Sequence, residues 1–371
     1  AAELAALIGS QTALSNRNLI INGAMQVAQR ATSATASNSV AYLTLDRWQY
    51  TFGDSTSNEY SSWTMSQDSD APAGFSNSMK FICTTAASAP STLTAAQVQQ
   101  KFEGQNLQQI QFAKTGAKAL TVSFYVKSNQ TGNIGVQLIA NDDNTINSQL
   151  VSISAANTWE FKTVTFVAKT SGTEIPNDNT LGLRIRFSFE YNTGRAAGTS
   201  NTWATTESNS QAVPAGTSAR LASADDTFFL AGCQLELGEQ ATAFEHRSIG
   251  DDLARCQRYY VRDSATYSGG SSVYKFFASG NCISTTSSRF TYHFPVPMRT
   301  APTLGQSANS TLGVYAAAGL GAFSADAAIN SPNNLSTGLT TTLAAGQTAG
   351  QGASLIANNN AAAFLEFIAE L

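Results

Sequence analysis

Three glutamates in the second half of the chain are the strongest candidates for hydrolytic chemistry. Glu236, Glu239 and Glu245 lie close together in the sequence, and two carboxylates that share a face can cleave a glycosidic bond. Glu236, however, falls on the polar side of an alternating strand, and Glu239 follows Gly238 in a turn. We therefore favour structural roles for these carboxylates and predict that the chain is not an enzyme.

Other arrangements that carry chemistry are missing from the sequence. It contains no Gly-x-Ser-x-Gly nucleophile motif, no His-Glu-x-x-His metal motif and no phosphate-binding glycine loop. The cysteines have no Cys-x-x-Cys spacing and only two histidines to help them, which argues against zinc; they are Cys83, Cys233, Cys256 and Cys282. We expect unpaired thiols, as in a protein folded in a reducing cytoplasm.

Aromatic side chains are the candidates for binding sugars, because ring faces stack on sugar rings while amides and carboxylates bind the hydroxyls. Trp203 lies in a long polar segment with no evident core position, and Tyr60 and Trp63 are second choices. A packed loop or a subunit interface is the alternative for Trp203. Trp48 and Trp159 fall in strand patterns and are assigned to the core.

Residues 17–247 alternate between apolar and polar side chains, which is typical of strands with one buried face. Leu181–Tyr191 is the longest run and predicts a central strand, with Ile185 and Phe187 inward and Arg184 and Arg186 on the opposite, polar face. In residues 159–167 the apolar side chains switch from odd-numbered to even-numbered positions, and therefore from one face of the strand to the other. A bulge near Lys162 would put both sets on the same face.

Turn-rich segments separate these strands, and together they predict an all-β fold: an antiparallel jelly-roll β-sandwich over 17–247. Residues 1–16 predict a short N-terminal helix that acts as a connector. Ser248 caps a second short helix, which begins a C-terminal β domain over 248–371. Within that domain, 305–362 has weak periodicity, and we expect short strands and long loops there.

Composition restricts the partners of this 371-residue chain. Only 12% of its residues are charged, and the formal charge is −4 from 21 basic and 25 acidic side chains. Without a basic run to neutralise phosphates, nucleic acid is not an expected partner. No stretch approaches the roughly 20 apolar residues of a membrane span, so we expect no membrane insertion.

Three segments together resemble bacteriophage tail fibre and virion structural proteins. They are Arg17–Met25 followed by Leu45-Asp46-Arg47-Trp48, then Gln99–Gly104, and finally Gly232–Gly238 continuing through Ala243–Arg247 to Cys256–Tyr260. The jelly-roll portion also resembles the carbohydrate-binding modules attached to glycoside hydrolases. Asp46 beside Arg47 predicts half of an internal ion pair, and residues 244–247 predict a polar cluster that locks the domain junction.

The resemblance implies a structural component of a phage tail or fibre that contributes to attachment to host-surface glycans. It further implies a homotrimer that contacts other tail proteins, located in the virion and made in the host cytoplasm. Two alternatives stay open: a capsid or tail decoration protein without receptor binding, and a depolymerase of surface polysaccharide. No repeat period predicts the β-helix of a polysaccharide-degrading tailspike.

The same resemblance implies one metal site. Asp225 and Asp226 precede the last strand of the sandwich, where related jelly-rolls hold a structural calcium. Calcium needs six to eight oxygen ligands, and the sequence offers only two strong ones nearby. No other cofactor is expected.

Overall fold

The computed structural model describes residues 16–36, 39–53, 62–85, 95–189, 196–198, 201–205, 213–218, 223–265, 273–344 and 346–371. Contacts divide the chain into a first unit, residues 1–252 with Leu371, and a second unit, residues 253–370. The predicted N-terminal helix lies almost wholly outside the described residues. No described helix is long and apolar enough to cross a membrane.

The first unit is built from short strands, and they are β1 (Ser33–Ala36), β2 (Ser39–Ala41), β3 (Gln49–Gly53), β4 (Ser62–Asp68), β5 (Ser78–Thr85), β6 (Ala95–Glu103), β7 (Leu120–Ser128), β8 (Gly132–Ala140), β9 (Thr145–Ile153), β10 (Glu160–Phe166), β11 (Leu181–Ser188), β12 (Ala196–Ala197), β13 (Ala204–Thr205), β14 (Val213–Pro214) and β15 (Thr227–Leu237). Two 3-10 turns, Gly104–Asn106 and Gln108–Ile110, follow β6.

Two antiparallel sheets form a sandwich. One has six strands in the order β1-β4-β5-β15-β7-β10, and the other has seven in the order β13-β9-β8-β11-β6-β3-β2. Their facing sides share one hydrophobic core that includes Trp48, Phe81, Phe124 and Phe187. The predicted fold class is confirmed, because alternation in each strand sends one set of side chains into this core.

Strand β11 occupies the central position predicted for it, between β6 and β8. Ile185 and Phe187 are fully buried in the core, as expected from the alternation. The bulge predicted near Lys162 is wrong. β10 pairs with β7 in unbroken register. Odd-numbered and even-numbered side chains therefore point to opposite faces throughout β10, so Trp159 and Phe161 lie on the side of the sheet opposite Val164 and Phe166.

A short helix, α1 (Ile249–Gln257), contains the division between the units. The Ser248 hydroxyl accepts a hydrogen bond from the Asp251 backbone N–H at 3.1 Å, so it caps the helix as predicted. The predicted helical spacing extended to Tyr260, but that residue begins the next strand.

The second unit consists of β16 (Tyr260–Ser264), β17 (Phe276–Cys282), β18 (Ser287–His293), β19 (Thr303–Gln306), β20 (Leu312–Ala316), β21 (Gly319–Asn330), β22 (Ser336–Leu343), β23 (Gly352–Ala357) and β24 (Phe364–Ile368), with a 3-10 turn at Asn309–Thr311. Six strands form a sheet that closes on itself in the order β17-β18-β22-β21-β20-β23, and β16-β24-β19 form a second sheet.

The expectation of long loops over 305–362 is wrong, because four strands of the closed sheet lie there. Their inward residues include Leu312, Val314, Leu339 and Leu355, which are fully buried. Most outward positions carry Ala, Ser, Thr or Gly, with the exposed Tyr315 and Leu320 as exceptions, so the segment has little overall hydrophobicity. Backbone hydrogen bonds to neighbouring strands stabilise it despite this weak pattern.

Candidate glycan-binding surface

The outer side of the six-stranded sheet carries aromatic and charged side chains in two cross-strand rows, which we call the aromatic surface. Lys127 of β7 lies opposite Phe229 of β15, which lies opposite Lys80 of β5. Two residues away, Tyr125 of β7 lies opposite Phe161 of β10. Since side chains two residues apart point to the same face, both rows share the side away from the core.

The first row is a stack of rings and ammonium groups. The Lys127 Nζ lies 4.8 Å from the centroid of the Phe229 ring and 5.4 Å from that of Trp159. The Lys80 Nζ lies 5.4 Å from the Phe229 centroid. The Trp159 and Phe229 rings meet edge to face, with centroids 5.9 Å apart. These cation–π and ring contacts cover Phe229 and leave Trp159 half-buried at the surface.

Asp70 supplies the acceptor for this row. Its carboxylate forms an ion pair with Lys127 and accepts a hydrogen bond from the Trp159 indole N–H at 3.0 Å. The hydrogen bond from Lys127, assisted by that from Trp159, holds the pKa of Asp70 below its usual 3.8. Asp70 therefore stays ionised at neutral pH and fixes the orientation of the indole.

The second row exposes more ring surface. Phe161 is 51% exposed, and its centroid lies 5.0 Å from that of the half-buried Tyr125. Phe75 extends the row, 5.7 Å from Tyr125, and reaches Phe244 and the exposed His246 at 4.9 and 5.2 Å.

A glycine in β15 makes room for Phe75. Gly232 has a left-handed φ of +57°, at the place where the pairing of β15 with β7 shifts register. A Cβ on Gly232 would lie 2.6 Å from the Phe75 ring. Glycine tolerates this φ and carries no Cβ, so the bulge lets the Phe75 ring pack closely against β15.

These residues together provide ring faces next to fixed hydrogen-bonding groups. Ring faces pack on the apolar faces of sugars, while carboxylate and ammonium groups bind hydroxyls. Trp159 and Phe161 lie at the edge of the six-stranded sheet, where β10 is the last strand. The sequence signal for this surface is the change of face within residues 159–167, from which the sequence predicts a bulge and a core tryptophan. The structure corrects both predictions, because β10 has no bulge and Trp159 lies at the surface.

The outer side of the seven-stranded sheet is also polar, but it is buried. Arg186 donates to the Gln99 side-chain oxygen at 3.1 Å, and Gln99 donates to Gln49 at 2.7 Å. Ser188 donates to Gln137 at 3.4 Å. Burial, with the neighbouring charge of Arg184, lowers the pKa of Arg186 to about 9. The expectation of a solvated face on β11 is therefore corrected: Arg186 is 2% exposed and Ser188 is fully buried.

The predicted sugar-binding aromatics do not come together. Trp63 is 2% exposed and packs against Phe189 with centroids 5.7 Å apart, so it is a core residue with no free ring face. Trp203 is half-buried, edge-on to Phe112 at 5.1 Å, and its indole N–H donates to the Val167 carbonyl at 2.8 Å. It therefore serves as a packed loop residue. Tyr60 lies outside the described residues.

The predicted calcium ligands lie before β15. Asp225 is exposed, whereas Asp226 is 4% exposed, and its carboxylate accepts hydrogen bonds from the Gln130 side chain and from the Ser223 backbone N–H. No group of three histidine, cysteine or acidic residues that could hold a metal occurs in the described part of the chain. The calcium site stays a prediction.

The glutamates considered for catalysis bind groups of this chain. Glu236 is fully buried and accepts hydrogen bonds from the Thr242 backbone N–H and hydroxyl at 2.8 and 2.6 Å. Glu245 accepts from the Asn18 backbone N–H at 2.9 Å and pairs with Arg247. Burial alone would raise the pKa of Glu245, but these contacts lower it. Glu239 is exposed in the turn after β15.

The segments that carry the resemblance to virion proteins form a structural network. Asn18 accepts hydrogen bonds from the backbone N–H groups of Ile20 and Leu235 at 2.9 and 3.0 Å. Asp46 is fully buried, binds the Gln29 side chain and lies 4.0 Å from Arg30, so it forms an internal ion pair as predicted. These motifs hold the N-terminal part of the unit against β15.

All four cysteines are buried, and none of them forms a disulfide. Burial raises the pKa of the Cys233 thiol, which keeps it protonated and unreactive at neutral pH.

Comparisons with known proteins find structural likeness only. No family model matches the chain, and no curated protein matches it. The solved structures that it resembles include the enzymatically active domain of tailspike protein 4 of bacteriophage CBA120, at 13% identity and a TM-score of 0.31, with 60% of this chain and 21% of that chain covered. This chain thus spans about a fifth of that tailspike domain.

Two carbohydrate-binding modules are also similar. One is a family 11 module from Clostridium thermocellum in complex with a mixed-linked tetrasaccharide, at 13% identity and a TM-score of 0.27, with 58% of this chain and 98% of that chain covered. The other is a CBM4 module at 13% identity and a TM-score of 0.25, with 58% and 97% covered. At these TM-scores the likeness extends no further than a β-rich architecture.

Proposed function

We propose that this chain is a non-enzymatic structural component of a phage tail or tail fibre that binds host-surface glycans through the aromatic surface. The observation that carries glycan binding is the pair of cross-strand rows on β7, β10 and β15. They place the half-buried Trp159 and the exposed Phe161 beside Asp70 and Lys127 on one face.

The composition of the aromatic surface favours a sugar over a protein partner. The centres of protein interfaces are depleted of charged residues, but here Lys80, Lys127 and Asp70 lie among the rings. Sugars need this mixture, because each ring of a polysaccharide has an apolar face and a rim of hydroxyls. The fixed indole and the ordered ion pair reduce the entropy lost on binding.

A glycan array with the full chain tests this proposal, followed by titration of the best glycan by calorimetry. Phe161→Ala and Trp159→Ala should each weaken binding about 2- to 10-fold, because a ring contact contributes about 0.5–1.5 kcal/mol. Phe161→Leu keeps apolar area but removes the ring face, and should weaken binding nearly as much. Val40→Ala, at a residue 57% exposed on β2 of the other sheet, is the control and should leave affinity unchanged.

Two results would contradict the proposal. The array could show no glycan bound by the full chain, or Phe161→Ala and Trp159→Ala could bind as tightly as the unmodified chain. If these variants instead lost a contact with a second protein while glycan binding persisted, the aromatic surface would be a protein interface.

The enzyme and decoration alternatives have separate tests. A depolymerase would release reducing ends from host polysaccharide on prolonged incubation, and we expect none, because Glu236 and Glu245 bind groups of this chain. Gold-labelled antibody on intact virions should mark the tail or fibre. Labelling confined to the capsid would favour a decoration protein.

We propose a homotrimer as the assembled form, which also contacts other tail proteins in the virion. Large apolar side chains on the surface of the second unit support self-association: Phe276, Tyr315 and Leu335 are 61%, 55% and 58% exposed. Light scattering at micromolar concentration should give about three times the 39.0 kDa of one chain. A monomer would contradict the proposal.

Any bound cation is proposed to be structural calcium at Asp225 and Asp226. Calcium should then raise the melting temperature by mass action, and a chelator should lower it, while glycan affinity stays the same. A stoichiometric transition metal in elemental analysis would contradict this assignment.

A further inference from the structure

The second unit has an open pocket on the outside of its closed sheet. It lies across β17, β18 and β22, next to the end of β21, and has a volume of about 410 Å³. Binding sites for small molecules commonly measure roughly 300–1,000 Å³. The side chains that give the pocket its chemistry are those of Asn281, Arg289, Thr291, Asn330 and Ser331.

Arg289 is the charged group of this pocket. It is exposed on β18, between Asn281 of β17 and Thr340 of β22. Its guanidinium makes no hydrogen bond or ion pair within the part of the chain that the structure describes, and no residue lining the pocket is acidic. The positive charge is therefore not neutralised by the pocket itself.

The neighbouring positions supply hydrogen-bonding groups and space. Thr291 and Asn330 are exposed, and each lies opposite Gly338 of β22. A Cβ on Gly338 would lie 3.0 Å from the Asn330 carbonyl oxygen, so glycine avoids a tight contact at this position. The Asn330 side-chain N–H donates to the Thr340 hydroxyl, and its side-chain oxygen can accept from a ligand. A ligand in the pocket would meet this amide, the Thr291 hydroxyl and the guanidinium of Arg289.

We propose that this pocket binds a sugar that carries a carboxylate, such as a uronic acid residue of a glycan. A guanidinium binds a carboxylate through two parallel N–H···O bonds, and the amides and hydroxyls of Asn281, Thr291 and Asn330 match the sugar hydroxyls. This site shares no residue with the aromatic surface, so it does not depend on the function proposed above.

The test is ligand-observed NMR on the full chain, with glucuronate, glucose, acetate and inorganic phosphate as separate probes. Glucuronate should bind in the millimolar range and the other three at least about tenfold more weakly, a difference of ~1.4 kcal/mol. Arg289→Gln should weaken glucuronate binding at least about tenfold. Arg289→Lys keeps the charge without the planar fork and should give an intermediate loss.

Lys118→Gln is the matched control, because it removes one exposed positive charge from the first unit; it should not change glucuronate affinity. The Arg289 side chain is exposed and makes no hydrogen bond or ion pair with the described residues, so Arg289→Gln should melt as the unmodified chain does.

Each of four results would overturn the proposal. Glucuronate could fail to bind, or it could bind Arg289→Gln as well as the unmodified chain. Equal affinity for glucose would show that the carboxylate is not recognised, and equal affinity for acetate or phosphate would show an anion site without sugar recognition. Loss of array binding in Phe161→Ala with glucuronate binding intact would separate this pocket from the aromatic surface.

Discussion

The outer sides of the two sheets of the sandwich arise from the same alternation of apolar and polar residues, yet their environments differ. On the six-stranded sheet, Phe161 and Tyr125 remain partly exposed beside charged groups. On the seven-stranded sheet, Gln97, Gln137 and Ser188 are fully buried. The alternation of apolar and polar residues thus determines on which face of the sheet a side chain lies, but it does not determine whether that face is exposed to solvent.

The difference has energetic consequences. A polar group that is buried and loses its hydrogen-bond partner costs about 1–3 kcal/mol, because water cannot replace the partner. At the aromatic surface water can reach the polar groups, so a lost contact such as that of Asp70 costs less. Substitutions on the polar face should therefore act on stability, and those on the aromatic surface mainly on binding.

The largest effect is expected on the core side of β11. Phe187 is fully buried, with its ring centroid 5.0 Å from that of Phe124. Phe187→Ala should lower the free energy of unfolding by about 3–5 kcal/mol, through lost burial and the cavity that remains. Denaturant melts measure this change. A loss below about 1 kcal/mol would contradict the register of β11 and with it the division into inner and outer faces.

A substitution at the bulge should disturb the aromatic surface. In Gly232→Ala the left-handed φ is strained and the new methyl meets Phe75, so the free energy of unfolding should fall by about 2–3 kcal/mol. NMR signals of Tyr125 and His246 should also move. Gly74→Ala is the control: its φ is +91° but nothing lies within 4 Å, so it should cost about 1 kcal/mol and leave those signals unchanged. Equal effects would show that Phe75 does not need the glycine.

The buried polar face can be tested on the same strand. From the sequence, Ser188→Ala should cost at most about 0.5 kcal/mol, as at a surface position. Since Ser188 is fully buried and donates to Gln137, we now expect about 1 kcal/mol. Ser152→Ala, at an exposed position on β9, should cost less than about 0.5 kcal/mol. If the two variants have equal stability, the outer face of the seven-stranded sheet is open to water.

The smallest effect concerns the ionisation of Asp70. Hydrogen bonds from Lys127 and Trp159 lower its pKa in the folded state, so the unfolded chain takes up its proton first as the pH falls. The stabilisation is complete above the unfolded pKa of about 4 and is lost as the pH falls through the lower, folded pKa. Asp70→Asn should cost under 1 kcal/mol at pH 7.

Thermal melts of Asp70→Asn and the unmodified chain should converge as the pH falls through the lowered pKa of Asp70 in the folded chain. The Trp159 indole N–H signal should shift over the same range. A stability difference that does not depend on pH would show that the carboxylate acts without its charge.

Particular residues show how far the sequence predicted the site. The six apolar positions that begin with Leu181 predicted a central strand, because only a buried strand keeps such a long alternation. Trp159 was assigned to the core, since a tryptophan in a strand pattern is usually buried. Its exposure depends on β10 lying at the edge of the six-stranded sheet, and strand order is not encoded in local periodicity.

The C-terminal region gave a weaker prediction for a different reason. In β21 and β22 most outward positions are Ala, Ser, Thr, Gly or Asn, and the inward apolar residues are few. Pairing with neighbouring strands stabilises such segments, and these partners are distant in the sequence. The pocket at Arg289 could not be predicted for the same reason, because Asn281, Arg289 and Asn330 come together only when four strands pair in the order β17-β18-β22-β21.

The sequence by itself determined the all-β class, the face on which each strand's side chains lie, and the cap of helix α1, because period-two alternation and capping are local properties. Only the tertiary structure decided which polar face is buried, which aromatic residues reach the surface, and where a cation remains without a partner. These depend on strand order and on what covers each face, and both are set by contacts between residues far apart in the chain.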